Sequence, residues 1–100
     1  MKTKEWRALI RHLREHFPVE QPVTVTRRKN LKGCHGLTTF DGTRFHIRVQ
    51  SSQERSGQID TILHEWAHVC AIEEAYTHKS RWSTLFGEIY ESWTKDPISD

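Results

Sequence analysis

Cysteine is scarce in this chain: two residues, Cys34 and Cys70, stand among 100. They form no CxxC pair, and neither has a ligand-type neighbour at zinc-finger spacing, which argues against a disulfide scaffold and a cysteine zinc site. No secretory signal is visible at Met1–Trp6, so two reduced thiols in a cytoplasmic protein are expected. Glycine (five) and proline (three) are too few and too scattered for a flexible linker or a low-complexity tract. No apolar run approaches the ~20 residues of a membrane span. Neither sign of charge prevails: 15 basic against 13 acidic residues leave +2, too little to name a partner. With 28% charged and 10% aromatic residues, the composition suits a folded domain rather than a disordered chain. No repeat divides it, so residues 1–100 read as one domain.

What the chain does have is histidine, seven in all. Their setting follows from the periodicity of the elements around them. Trp6, Leu9, Ile10, Leu13 and Phe17 recur at helical spacing and predict an amphipathic helix over 3–16, stopped before Pro18. Val23–Thr26, Gly36–Phe40 and Arg44–Val49 read as strands, the last two flanking the hairpin signal Asp41-Gly42. In the last strand Phe45, Ile47 and Val49 alternate with Arg44, His46 and Arg48, giving one buried and one wet face. A second helix is expected over 58–76, with Ile59, Ile62, Leu63, Trp66, Val69 and Cys70 as its apolar stripe. A third is expected over 80–93, carrying Trp82, Leu85, Phe86, Ile89, Tyr90 and Trp93. The fold class is α+β: an N-terminal helix, a small antiparallel sheet with a hairpin, then two helices.

The second helix contains His64-Glu65-Trp66-Ala67-His68, the pattern H-E-x-x-H. Histidines four apart share a helix face, so both imidazoles can reach one Zn²⁺ ion. Glu65 sits at the edge of that face, where its carboxylate can take a proton from a zinc-activated water as general base. A catalytic zinc site keeps three protein ligands and one open position. His78, ten residues past His68 in the expected turn between helices, leads for the third. Glu88 on the third helix is its rival, at a spacing that suits glutamate-type zincins. Glu73, Glu74 and Glu91 are weaker candidates.

The stretch Ile59–His68, followed by His78-Lys79-Ser80-Arg81-Trp82, Phe86 and Ile89-Tyr90, resembles SprT-like zinc metallopeptidase domains of the small phage and prophage type. In that family the HExxH motif is followed by a histidine with an aromatic four residues on, which His78 and Trp82 match. Lys79 departs from the glycine that many members carry. The resemblance spans roughly residues 36–93 and implies a minimal zincin-like fold. It implies a zinc-dependent endopeptidase acting on protein or peptide, with His64, His68 and His78 as ligands and Glu65 as base. It also implies a bacterial or phage-infected host cell.

The resemblance also implies an edge strand above the metal that pairs with extended substrate, for which Arg44–Val49 is the natural candidate and an ordinary edge strand the equal alternative. Tyr90 is weighed as an oxyanion donor and as a core aromatic, the latter preferred; Trp66, Trp82 and Trp93 are read as core. The basic run at Arg27, Arg28, Lys29 and Lys32 could contact DNA phosphates, though a solvated loop is the simpler expectation. His12, His16, His35 and His46 are expected to be ordinary, the first two facing solvent and His46 on the strand surface. A monomer is expected, and the alternative to an enzyme is a catalytically latent zinc-binding module.

Overall fold

The computed structural model describes residues 1–74 and 81–95. The element order is α1 (Thr3–His16), β1 (Val23–Arg28), β2 (Gly36–Phe40), β3 (Phe45–Gln50), α2 (Arg55–Glu74) and α3 (Arg81–Lys95), a small α+β arrangement of three helices and a three-stranded sheet. The three helices and three strands stand close to where the periodicity set them. None of the described helices is long and apolar enough to cross a membrane.

The sheet itself differs from expectation. It is mixed, not antiparallel, with strand order β1-β3-β2. β3 pairs parallel with β1 (Val23↔Phe45 to Arg28↔Gln50) and antiparallel with β2 (Gly36↔Val49 to Phe40↔Phe45). The physical reason lies in composition. Phe45, Ile47 and Val49 are all buried, so this strand takes the middle, while the threonine- and arginine-bearing β1 and the half-exposed β2 form the edges. Seven residues link β1 to β2, with Asn30 (φ 63°) and Gly33 (φ 73°) turning through the left-handed region, and no tight hairpin joins those strands. β2 and β3 do form the expected hairpin, closed by Phe40 and Phe45 over the four residues 41–44. Asp41 Oδ1 caps that turn by accepting from the backbone N–H groups of Thr43 (2.9 Å) and Arg44 (2.8 Å).

α1 buries Trp6, Leu9 and Leu13 and packs Ile10 and Phe17 against the core, as its spacing predicts. His12 corrects the solvent-facing expectation: it is buried, its Nε2 lies 3.0 Å from Ser92 Oγ, and its ring stacks on His16 at 4.3 Å. α1 meets α3 there, and Trp93 stands edge-on to the imidazole at 5.3 Å. Helical periodicity finds the core-facing stripe but not this second contact. His16 is exposed, as expected.

α2 begins at Arg55, three residues ahead of the expected start, because Ser56 and Gly57 join its first turn and Gln58 N–H donates to the Glu54 carbonyl (3.0 Å). Between Gln58 and Cys70 only Asp60, His64 and His68 escape burial, as befits a helix with β2, β3 and α3 packed around it. Trp66, 1% exposed, fixes its depth: the indole Nε1–H donates to the Phe17 carbonyl at 3.0 Å, and the Arg14 guanidinium lies 5.9 Å from its ring centre. Trp66 is therefore core, as expected, and Trp93 is partly buried against the core cluster. Cys34 and Cys70 form no disulfide: Cys70 is buried beside Phe17, and Cys34 is half-buried.

Candidate metal centre

His64 and His68 emerge from α2 on one face, and their Nε2 atoms lie 3.1 Å apart. Two nitrogens at ~2.0–2.1 Å on a tetrahedral zinc would stand about 3.3 Å apart, so the pair has the spacing of two ligands on one ion. The rings meet edge to face at 4.7 Å between centres. Burial holds the His68 imidazole below its ordinary pKa; His64 adds to that, and Glu65 opposes it. The shift favours the neutral ring, which is the ligand form.

Glu65 is buried at 9% exposure. Its Oε1 accepts a 2.6 Å hydrogen bond from the Thr38 hydroxyl of β2, and its Oε2 lies 4.0 Å from His64 Nε2. The motif's three side chains are therefore brought together as their spacing requires. A cleft of about 520 Å³ opens beside them, lined by His35 and Gly36 of the β2 approach, Asp60, Thr61, His64 and Glu65 of α2, and Phe86 and Tyr90 of α3. Phe86 stands edge-on to His64 at 5.7 Å, and its ring centre lies 6.1 Å from that of Tyr90.

His78 lies outside the described residues, as does the turn expected at 77–80. Glu88 is described, and it is exposed on α3. Among the described residues no group of three His, Cys, Asp or Glu is placed to hold one ion, so Glu88 does not join His64 and His68. Glu73 is engaged elsewhere, accepting from the backbone N–H of Glu20 (2.8 Å) and Gln21 (2.7 Å).

Several other expectations change. β3 is central, with hydrogen-bonded neighbours on both sides, so Arg44–Val49 cannot offer a free edge to a substrate; β2 is the edge strand whose start lines the cleft. Tyr90 is not core: it is 43% exposed and faces the cleft beside Glu65. One turn C-terminal to Phe86 on α3, it falls past the rim of the helix contact, where Leu85 and Ile89 take the buried positions. His46 sits on the strand surface as expected, 2.9 Å from Asp41 Oδ2 and apart from the cleft.

Within the basic run, β1 extends through Arg28, and Arg27 is committed inward. Its guanidinium donates to the Met1 carbonyl (2.8 Å) and Gln58 Oε1 (3.3 Å) and covers Trp6 at 4.9 Å. Arg28, Lys29 and Lys32 remain exposed. Residues that motif reasoning missed are His35, Gly36, Thr38 and Thr61. A glycine opening a predicted strand was the available signal, since it often marks a close backbone approach. Compared with known proteins, this chain matches no family model, no curated protein and no solved structure.

Proposed function

We propose that the chain is a minimal zinc-dependent endopeptidase. The observation that carries this reading is the pair of Nε2 atoms 3.1 Å apart on one helix face, beside a buried glutamate at the wall of an open cleft. His64 and His68 would hold the ion, with His78 as third ligand on the strength of the family resemblance. Bound zinc supplies a Lewis acid for the scissile carbonyl and a lowered pKa for water. The chain's own residues supply the rest. Glu65 accepts the proton of the attacking water and returns it to the leaving amine. The free edge of β2 offers main-chain groups to an extended peptide, and Phe86 and Tyr90 give the cleft an aromatic wall for an apolar side chain of that peptide. Tyr90, exposed at the cleft, is the candidate donor to an oxyanion.

The test is zinc content and peptide cleavage measured side by side. Glu65→Gln should retain stoichiometric zinc and lose hydrolysis by at least a hundredfold, the scale of a missing general base. His64→Ala, His68→Ala and His78→Ala should each lose zinc, whereas Glu88→Ala should keep it. Zinc lost from Glu88→Ala and kept by His78→Ala would replace the SprT-like assignment with a glutamate-type zincin.

One observation favours a second reading, a latent zinc-binding module that contacts nucleic acid. Residues 23–50 hold six basic side chains against one acidic, Asp41, a local charge of +5 in a chain whose total is +2. Under this reading duplex DNA binds with a steep salt dependence, Arg28, Lys29 and Lys32 to alanine flatten it, and Glu65→Gln leaves it unchanged. An unaltered salt slope in the triple variant would reject this surface.

A further inference from the structure

We infer that Thr38 is a positioning residue for Glu65, anchoring one carboxylate oxygen so that the other alone serves as the proton acceptor. This deepens the endopeptidase reading and rests on it for its kinetic consequence.

The geometry starts from the sheet. Thr38 pairs with Ile47 in the middle of the β2–β3 register, so its backbone is held by the central strand. A β-branched residue on a strand has few χ1 choices, and the direction of its hydroxyl is set largely by the backbone. That hydroxyl donates to Glu65 Oε1 at 2.6 Å, a length typical of charge-assisted O–H···O⁻ bonds. Glu65 is 27 residues away in sequence, so the contact exists only because β2 lies down against α2.

Gly36 makes that approach possible. A Cβ at Gly36 would stand 2.4 Å from Thr61 Cγ2 and 3.3 Å from Glu65 Cγ. Strand and helix thus touch through bare backbone at Gly36, and two residues on the Thr38 hydroxyl falls within bonding range of the carboxylate. With Oε1 taken, Oε2 is the oxygen directed at His64, 4.0 Å from its Nε2. A glutamate left to itself has three side-chain torsions to settle, and its two oxygens are interchangeable. Here a bond from a rigid strand fixes the orientation of the carboxylate, which is how a base is held in reacting geometry before substrate arrives.

The test uses Thr38→Val, which removes the hydroxyl at nearly constant volume, and Thr38→Ser, which restores it. In peptide cleavage by the zinc-loaded protein, Thr38→Val should lower kcat roughly ten- to hundredfold with KM little changed, the pattern of a misplaced catalytic group. Thr38→Ser should recover most of that loss. A second readout needs neither metal nor activity. In metal-free protein, Thr38→Val should lower the urea midpoint more in the wild-type background than in a Glu65→Ala background, because only the former strands a buried carboxylate. Equal midpoint shifts in the two backgrounds, or wild-type kcat in Thr38→Val, would overturn the assignment. Unequal midpoint shifts in a protein whose wild type cleaves no peptide would overturn the endopeptidase reading and support the anchoring of Glu65 alone.

Discussion

At the hairpin one carboxylate serves two strands: Asp41 Oδ1 accepts from Thr43 and Arg44, while Oδ2 lies 2.9 Å from His46 Nε2. The His46 contact first, then the backbone N–H groups of Thr43 and Arg44, hold this carboxyl well below the usual carboxylate range. A depressed folded-state pKa means the contribution to stability is complete above the unfolded value of about 3.9 and is lost as pH falls through the folded value. Carboxyl-carbon NMR should therefore find Asp41 still ionised at pH ~3.9, where an unperturbed aspartate is half protonated. A midpoint at or above that pH would show that the cap does not form. The hairpin signal Asp41-Gly42 was legible in the sequence because turn chemistry is local. The fate of His12 was not, since its burial depends on Ser92, 80 residues away. The HExxH face was legible for the same reason as the turn: its three side chains lie within five consecutive residues of one helix. Thr38 was illegible because only the packing of β2 against α2 brings it to Glu65.

Among the elements, the contact between β2 and α2 admits the least variation. Gly36→Ala places a methyl 2.4 Å from Thr61 Cγ2, and overpacking of this kind costs about 1–3 kcal/mol. Thr61→Ser removes the offending methyl, so the double variant Gly36→Ala/Thr61→Ser should recover part of the loss in denaturant unfolding. Recovery should be partial, because the Arg48 carbonyl and Glu65 Cγ still stand 3.3 Å from the new Cβ. No recovery would mean that strand and helix separate rather than crowd. In β3, Ile47→Ala should cost about 2–5 kcal/mol, as for other fully buried aliphatic residues. The periodicities that located helices and strands say nothing of which strand lies between which. Strand order follows from the apolar content of β3 and from a β1–β2 connection too long for a hairpin, and both matter only once the three strands compete for the same core.

For the whole molecule, the candidate site is assembled from α2, β2 and α3, so the proposed function makes metal binding and folding depend on one another. Under the proposed function, zinc in hundredfold excess over its Kd should raise the melting temperature by about 10 °C or more, and a chelator should reverse the gain. His64→Ala should melt at the same temperature with and without zinc. A wild-type melting point indifferent to zinc would remove the metal from the proposal. The central position of β3 has one more consequence, in the order of events as the chain is made. β1 is synthesised first, yet its hydrogen-bonding partner is the last of the three strands, 17 residues beyond its end at the near edge of β3. Until Phe45–Gln50 emerges, β1 has no neighbour to pair with and β2 has no core strand to lie against. Both edge strands therefore depend on β3, and the amides of Ile47 and Val49 should be the slowest in the sheet to exchange with solvent deuterium.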